Sequence, residues 1–148
     1  MSERTLVILK PGALERGLVG KIIETIEQKG FSIAGLKILK LTHAQASKLY
    51  KMHTKKPFFK DLIQHITSGP VIVMIIEGFR AIEEMRRLSG ATNPLEAEIG
   101  SIRSKYGLTI TKNVIHNAEN LENAKREIAL FFKPEEIISY MRNVKMYR

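Results

Sequence analysis

An uninterrupted apolar run over residues 71–76 constrains the fold of this chain more than any other stretch. Most of its side chains are β-branched, and a Ser-Gly-Pro turn stands directly before it. Such a run is typical of a strand that is buried on both faces. Residues 6–9 form a second, shorter run of the same kind. The two runs predict buried strands, with residues 71–76 at the centre of a sheet.

The segment between these runs predicts a helix, a strand and a pair of helices. Apolar residues recur at helical spacing over 18–26, and residues 31–41 predict a strand with a bulge at Gly35. Thr42 and Gln45 have the spacing of a capping box, which begins the next helix.

The apolar side of that capped helix is predicted to consist of Ala46, Leu49 and Met52. The helical pattern is interrupted at residues 57–59, and a further helix is expected to run through Leu62. The two helices would form an insertion between strands.

After the central run the pattern becomes helical over 81–89 and then irregular from 90 to 107. Within this long connection Asn93 is placed to cap, and Pro94 to open, a short turn of helix. Loops of this length inside a compact domain are usually functional. Residues 108–110 then alternate apolar and polar, which predicts a half-buried strand leading to a histidine.

The last part of the chain predicts helices. One begins near Leu121 and runs to residue 131 or 132, and Pro134 is expected to open another. The order of elements is then βαββαβ with an inserted helix pair and a long loop before the histidine. This predicts an α+β, ferredoxin-like fold with a four-stranded antiparallel sheet, and residues 1–148 are expected to form a single domain. The fold class alone does not decide the chemistry.

Composition limits the functions to be considered. The chain is 44% hydrophobic and 26% charged, which excludes a disordered or fibrous protein. It has no cysteine, which excludes disulfides, thiolate metal sites and a cysteine nucleophile. No signal-peptide core or long apolar span is visible, so we expect a soluble, cytoplasmic protein without membrane contact. The net charge of +9 favours anionic partners such as nucleotides, nucleic acid or acidic lipid, or else a solvated basic surface.

His116 and Glu127 form the first candidate for catalysis. A neutral imidazole is a good nucleophile, and a carboxylate on its other ring nitrogen would fix its tautomer. A purely structural histidine is the alternative. Lys10 stands at a strand end before Pro11, where its side chain can enter a cleft or remain solvated.

Several other residues allow two interpretations. Tyr50 lies one position off its helical stripe, so it faces either a groove or the edge of the core. One of Phe58 and Phe59 is a candidate for stacking on a base, because neighbouring helical residues point in different directions; burial of both is the alternative. Arg86 and Arg87 lie in the last turn of a predicted helix, where a positive charge interacts favourably with the helix dipole. This would explain both residues without a role in binding.

The remaining three histidines are not candidates for the site. Outside the candidate site, His43, His53 and His65 show no ligand-like spacing to acidic residues, so they are predicted to be surface residues.

Short segments along nearly the whole chain, taken together, resemble the nucleoside diphosphate kinases. They are residues 4–6, 10–11, 16–20, 50, 56–59, 68–71, 90–94, 100–103, 113–116 and 127–128. The resemblance implies transfer of the terminal phosphate of a nucleoside triphosphate to a nucleoside diphosphate, by a ping-pong route through a phosphohistidine. It implies that His116 is the nucleophile and Glu127 the carboxylate that orients it.

The same resemblance implies a nucleotide-binding set. By resemblance, six residues surround the phosphates and the sugar of the nucleotide, or the histidine beside them: Lys10, Tyr50, Arg86, Thr92, Arg103 and Asn113. Phe58 resembles the residue that stacks on the base, with Leu62 and Ile110 beside it. Lys10 and the arginines would supply positive charge for phosphoryl transfer. No carboxylate cluster is visible, so Mg²⁺ is expected to arrive with the nucleotide rather than at a dedicated metal site.

The chain departs from the family pattern directly after the histidine, where Asn117, Ala118 and Glu119 stand in place of a small residue followed by Ser-Asp. Ala118 would remove a hydrogen bond that supports the carboxylate. Such a bond is worth about 0.5–1.5 kcal/mol, which predicts an enzyme slower by roughly two- to tenfold. Ile99 and Lys105 also depart from the pattern, in the long loop.

Two further expectations follow from the resemblance and the charge. The family forms tetramers or hexamers, so a homo-oligomer is expected, with a hexamer favoured by family frequency. The alternative function is a basic nucleotide- or nucleic-acid-binding protein on the same fold, with little or no kinase activity.

Overall fold

A four-stranded antiparallel sheet forms the centre of the protein. In the computed structural model, which describes residues 2–142, the strands are β1 (Ser2–Leu9), β2 (Ser32–Leu39), β3 (Val71–Phe79) and β4 (Ile115–Asn117). Their order is β2-β3-β1-β4, and every neighbouring pair is antiparallel. The two apolar runs of the sequence therefore lie in the two inner strands, as predicted.

Seven helices within residues 2–142 cover the sheet. They are α1 (Pro11–Glu15), α2 (Val19–Gln28), α3 (His43–Leu49), α4 (Phe59–Ile66), α5 (Ala81–Ser89), α6 (Ile102–Tyr106) and α7 (Leu121–Phe131), with 3₁₀ turns at Lys51–His53 and Pro134–Glu136. The order β1-α2-β2-β3-α5-β4, with α3 and α4 inserted, confirms the ferredoxin-like α+β prediction within the described residues. No helix among these residues is both long and apolar enough to cross a membrane.

The alternation of side chains along the inner strands creates two cores. Leu6 and Ile8 of β1 pack with α3, α4 and α7 on one face, and Val7 and Leu9 pack with α2, α5 and α6 on the other. Both faces of a strand need apolar residues in such an arrangement. This explains why the inner strands read as unbroken apolar runs.

The predicted capping box and bulge are both present. The side chain of Thr42 accepts a hydrogen bond from the Gln45 backbone, and the Gln45 side chain accepts one from the Thr42 backbone. The pairing of β2 with β3 shifts its register between Ile33 and Gly35. A Cβ atom at Gly35 would lie 2.9 Å from the ring of Phe132, so a glycine allows the strand to pass beneath that ring.

The predicted strand over residues 108–110 is wrong. This segment is a loop in which Leu108 and Ile110 are 61% and 47% exposed, and β4 begins only at Ile115. The loop is held by local bonds instead of a ladder: the Leu108 amide donates to the Lys112 carbonyl at 2.9 Å, and Asn113 Nδ2 donates to the Ile110 carbonyl. Three alternating residues are too few to distinguish the two cases.

Three smaller predictions are also corrected. Met52 is 39% exposed, because α3 ends at Leu49 and the chain continues as a tighter 3₁₀ turn that takes Met52 off the apolar stripe. Asn93 accepts a bond from the backbone of Leu95 in a turn, not in a helix. Pro134 opens only one 3₁₀ turn. The predicted domain limits at residues 1 and 148 lie outside the described residues.

Candidate active site

β4 and α7 bring His116 and Glu127 into contact. The helix begins after Asn120, whose side chain accepts from the Asn123 backbone. This start places Glu127 on the face of α7 toward β4. His116 Nε2 lies 2.6 Å from Glu127 Oε1, and the two side chains are 14% and 1% exposed. A carboxylate only accepts, so in the neutral imidazole Nε2 carries the proton and Nδ1 keeps a free lone pair.

The backbone just before the histidine is strained. Val114 has a φ of +66°, which is rare for a β-branched residue. The Ile115 amide donates across it to the Asn113 carbonyl at 2.9 Å, closing a three-residue turn, and the Lys10 amide donates to Val114 at 2.9 Å. Such a conformation costs about 1–3 kcal/mol and is found mainly where function requires it.

Lys10 is buried beside the histidine strand. Its side chain is 3% exposed, and Nζ donates to Asn113 Oδ1 at 2.8 Å and to the Thr111 carbonyl at 3.3 Å. Burial, and secondly the charge of Arg103, lower the pKa of Lys10 to about 7. An anion beside Nζ would favour the charged form again.

Arg103 is held by backbone carbonyls rather than by a carboxylate. Its Nη1 donates to Gly90 and its Nη2 to Ile115, both at 2.8 Å. Burial lowers its pKa to about 10, so it remains charged at neutral pH. Within residues 2–142, neither Arg103 nor Lys10 nor Arg86 forms an ion pair with an acidic side chain. Their positive charge is therefore available to a ligand.

Arg86 and Thr92 close the same end of the cleft. Arg86 Nη1 donates to the Glu119 carbonyl at 3.1 Å, in addition to its position in the last turn of α5. The Thr92 carbonyl accepts from Asn113 Nδ2 at 2.9 Å. Asn113 thereby connects the long loop to Lys10.

Tyr50 lines the cleft although it is only 3% exposed. Its ring meets that of His116 edge to face, with 5.6 Å between centroids. Burial, and secondly the charge of Glu127, raise the pKa of its hydroxyl. The hydroxyl has no hydrogen-bond partner within the described residues. A buried polar group of this kind is usually satisfied by a ligand or a water.

The outer end of the cleft is an apolar slot. Phe58, Leu62 and Ile110 line it. Phe58 and Phe59 both pack against the core cluster on this face of the sheet, but Phe59 does not line the cleft. The structure thus distinguishes the two aromatic residues, and only Phe58 is placed to stack on a ligand.

One cleft contains every site residue that the family resemblance implied. Its lining includes Lys10, Tyr50, Phe58, Leu62, Arg86, Thr92, Arg103, Ile110, Asn113, His116 and Glu127. The prediction missed Met52, His53, Asn117 and Glu119, which line the same cleft.

The surface position predicted for His53 is wrong. It is half-buried, with its ring centroid 6.2 Å from that of Tyr50 and 5.6 Å from that of Phe58. In the 3₁₀ turn, residues three apart lie on the same side, which places His53 next to Tyr50. His65 is also half-buried, and only His43 is exposed as predicted. A single 3₁₀ turn leaves no periodic signal in a sequence.

These features define a class of protein. A histidine with a free nucleophilic nitrogen, a carboxylate behind it and unpaired cations in front is the arrangement expected of an enzyme that transfers phosphoryl groups.

Comparison with known proteins agrees with this class. The family model described as nucleoside diphosphate kinase matches residues 3–137. The nucleoside diphosphate kinase of Fervidobacterium nodosum is 50% identical over 143 residues, 97% of each chain. That of Pyrococcus horikoshii is 49% identical over 95% of this chain and 92% of its own. The chain belongs to the nucleoside diphosphate kinase family and is a phosphotransferase.

Solved structures of relatives share the fold. A nucleoside diphosphate kinase of Halobacterium salinarum in complex with CDP has a TM-score of 0.94 and 39% identity, over 99% of this chain and 98% of its own. The Aquifex aeolicus enzyme has a TM-score of 0.90 and 39% identity, over 93% and 100%.

Proposed function

We propose that the protein transfers the terminal phosphate of a nucleoside triphosphate to a nucleoside diphosphate through a phosphohistidine at His116. The observation that carries this proposal is the 2.6 Å contact of Nε2 with Glu127, which leaves Nδ1 as the nucleophile. Family membership supports the same activity.

The reaction consists of two balanced displacements at phosphorus. The Nδ1 lone pair attacks the terminal phosphorus, the bond to the bridging oxygen breaks, and the nucleoside diphosphate leaves with those electrons. A terminal oxygen of the second nucleoside diphosphate then attacks the phosphohistidine, and the electrons of the P–N bond return to Nδ1. The Nε2 proton stays in place, and Glu127 stabilises the positive charge that develops on the ring.

Lys10, Arg86 and Arg103 are proposed to hold the phosphates. Phosphoryl transfer requires alignment and positive charge at the equatorial oxygens. Arg103 and Lys10 are buried and fixed by hydrogen bonds, so their charge is pre-organised for this purpose. Thr92 and Asn113 would complete the polar end of the cleft, and Tyr50 could donate its unpartnered hydroxyl.

Phe58, Leu62 and Ile110 are proposed to hold the base. A slot made of apolar side chains recognises the face of a base and not its edge. Every base has such a face, so broad acceptance of bases is expected.

Mg²⁺ is proposed to enter with the nucleotide. Within residues 2–142 no group of three or more histidine or acidic side chains could hold a metal ion. On the cleft wall the carboxylates are Glu127, which is engaged with His116, and Glu119. Such a donor set fits an ion held mainly by phosphate oxygens, with at most Glu119 nearby. When bound there, the ion would neutralise negative charge on the phosphates.

The test is labelling with γ-³²P-ATP. We expect an acid-labile, base-stable label on the protein and its transfer to an added nucleoside diphosphate. His116→Ala should lose both, whereas the matched His43→Ala variant, altered at an exposed histidine, should keep both. Label that persists in His116→Ala would contradict the assignment of the nucleophile.

A homo-oligomer is proposed as well. Within the described residues β2 is an edge strand of the sheet. At the start of its outer edge the Ala34 carbonyl accepts from the Ile138 amide, whereas Leu36 and Ile38 further along are 52% and 67% exposed. An edge strand of this kind is suited to pairing with another chain. Hexamer and tetramer would be distinguished by light scattering coupled to size-exclusion chromatography. Location in the cytoplasm stays a prediction of the sequence.

We propose binding of single-stranded nucleic acid as a second function. Five lysines lie in residues 48–60, where there is no acidic residue. All five are exposed, and none forms an ion pair within residues 2–142. The segment also forms one wall of the cleft and carries Phe58. Clustered lysines beside an aromatic platform are typical of surfaces that bind single strands.

This second function has a charge-matched test. Lys55→Glu/Lys60→Glu and Lys21→Glu/Lys105→Glu remove the same total charge at exposed positions. We expect the first pair to weaken binding of a fluorescent oligonucleotide far more, and to reduce its salt dependence. Equal losses in the two variants would mean that only the net charge matters.

A further inference from the structure

The buried carboxylate behind the nucleophile has a second cationic neighbour. Glu127 is 1% exposed, and Oε1 is engaged with His116. Its other oxygen, Oε2, lies 3.7 Å from Arg126 Nη2. Apart from His116, no other cationic side chain in residues 2–142 lies within ion-pair distance of this carboxylate. A carboxylate removed from water needs such compensation.

The guanidinium of Arg126 is itself fixed by other groups. Nη1 donates to the Lys48 carbonyl at 2.6 Å, and Nη2 donates to the Leu49 carbonyl at 3.3 Å and to Asn123 Oδ1 at 3.4 Å. Lys48 and Leu49 end α3, where the last carbonyls of a helix lack partners and carry partial negative charge. Arg126 therefore caps α3 from α7.

The capped end of α3 leads directly to the nucleophile. Tyr50 follows Leu49 in the chain, and its ring stands edge-on to His116. Arg126 thus connects the two groups that contact the imidazole, Glu127 through charge and Tyr50 through the backbone that precedes it.

We propose that Arg126 is a positioning residue for the phosphoryl transfer. Its charge holds the Glu127 carboxylate in the orientation that His116 requires. This proposal rests on the proposed role of His116 and adds a residue that does not line the cleft.

The distances limit the size of the effect. The 3.7 Å separation indicates an ion pair rather than a short hydrogen bond, and the Arg126 side chain is 29% exposed. Water therefore screens part of the interaction. We expect a reduced rate of histidine phosphorylation, by about tenfold, rather than loss of activity.

The experiment compares Arg126→Met with Arg126→Lys. Both variants lose the planar fork that reaches two carbonyls, but only the lysine keeps a positive charge near Glu127. Rapid-quench measurement of phosphorylation at saturating ATP should show the methionine variant about tenfold slower, with KM changed by less than about twofold. The lysine variant should retain most of the rate.

A control separates this role from general stabilisation. Arg142 also donates to two backbone carbonyls, those of Glu27 and Phe31, and does not line the cleft. Arg142→Met should lower the melting temperature without changing the rate of phosphorylation. The proposal is overturned if Arg126→Met is phosphorylated at the wild-type rate, or if the lysine and methionine variants are equally slow. An unlabelled wild-type protein would instead contradict the proposed function.

Discussion

The two ends of the cleft are built in opposite ways. At the inner end, Lys10, Arg103 and Asn113 are buried and fixed by hydrogen bonds to backbone or to one another. At the outer end, Phe58 is half-buried and Ile110 is 47% exposed, and both present apolar side chains to the cleft. The inner end is suited to one kind of anionic group, a chain of phosphates, whereas the outer end can accept flat rings whose edges differ.

Removing a charge at the inner end should have the largest effect on activity. Lys10→Met keeps the length of the side chain but removes the ammonium group that donates to Asn113. Loss of one pre-organised donor at a site of developing charge typically costs 10²–10³ in rate, and we expect about that here. Steady-state transfer between ATP and a second nucleoside diphosphate measures it.

Lys10→Met also tests whether the inner and outer ends of the cleft act separately, because its effect should not depend on the base. A loss that differed strongly between purine and pyrimidine substrates would contradict the separation of the two ends.

The pH dependence of nucleotide binding should report on Lys10. Its pKa of about 7 in the free protein means that much of it is neutral at pH 8. A bound phosphate favours the ammonium form, so binding above pH 7 takes up a proton, and affinity falls with rising pH by up to about tenfold per unit. Calorimetry in two buffers of different ionisation enthalpy at pH 8 measures the uptake. Lys10→Met should abolish it; uptake that persists would assign the proton to another group.

At the outer end, Phe58→Ala should raise KM for all bases by about tenfold, because stacking contributes about 1–3 kcal/mol per base. The rate at saturation should change little, since the inner end is untouched. Phe59→Ala is the matched control: that residue packs against the same core as Phe58 but does not line the cleft, so its loss should lower stability and leave KM nearly unchanged. A large fall in kcat for Phe58→Ala would show that the two ends are not independent.

The sequence predicted the inner strands and the implied site residues, but it did not predict the loops and contacts around them. The inner strands follow from unbroken apolar runs, and the placement of every implied site residue follows from short motifs in a fixed order. The loop at 108–110 and the positive φ of Val114 could not be predicted, because Asn113 between them is held by side-chain bonds to the carbonyls of Thr92 and Ile110 that residue periodicity does not reveal. His53 and Arg126 were missed for a similar reason, since a 3₁₀ turn and a contact between α3 and α7 leave no local pattern.

The smallest expected effect concerns the departure from the family pattern at Ala118. This residue is fully buried, in a small cluster with Ile82 and Ala124. If a hydroxyl there supports Glu127, as the resemblance implies, Ala118→Ser should speed histidine phosphorylation by about two- to tenfold. Ala124→Ser adds the same hydroxyl to the same cluster and should leave the rate unchanged or reduce stability.

Ala118→Ser also tests whether Arg126 compensates for the missing hydroxyl beside Glu127. A serine hydroxyl on Glu127 would share the task of the guanidinium, so Arg126→Met should cost less in the Ala118→Ser background than in the native one. A double-mutant cycle measures this coupling directly. Strictly additive effects would mean that the hydroxyl and the guanidinium act on Glu127 independently, and that the native chain does not rely more heavily on Arg126 because it lacks the serine.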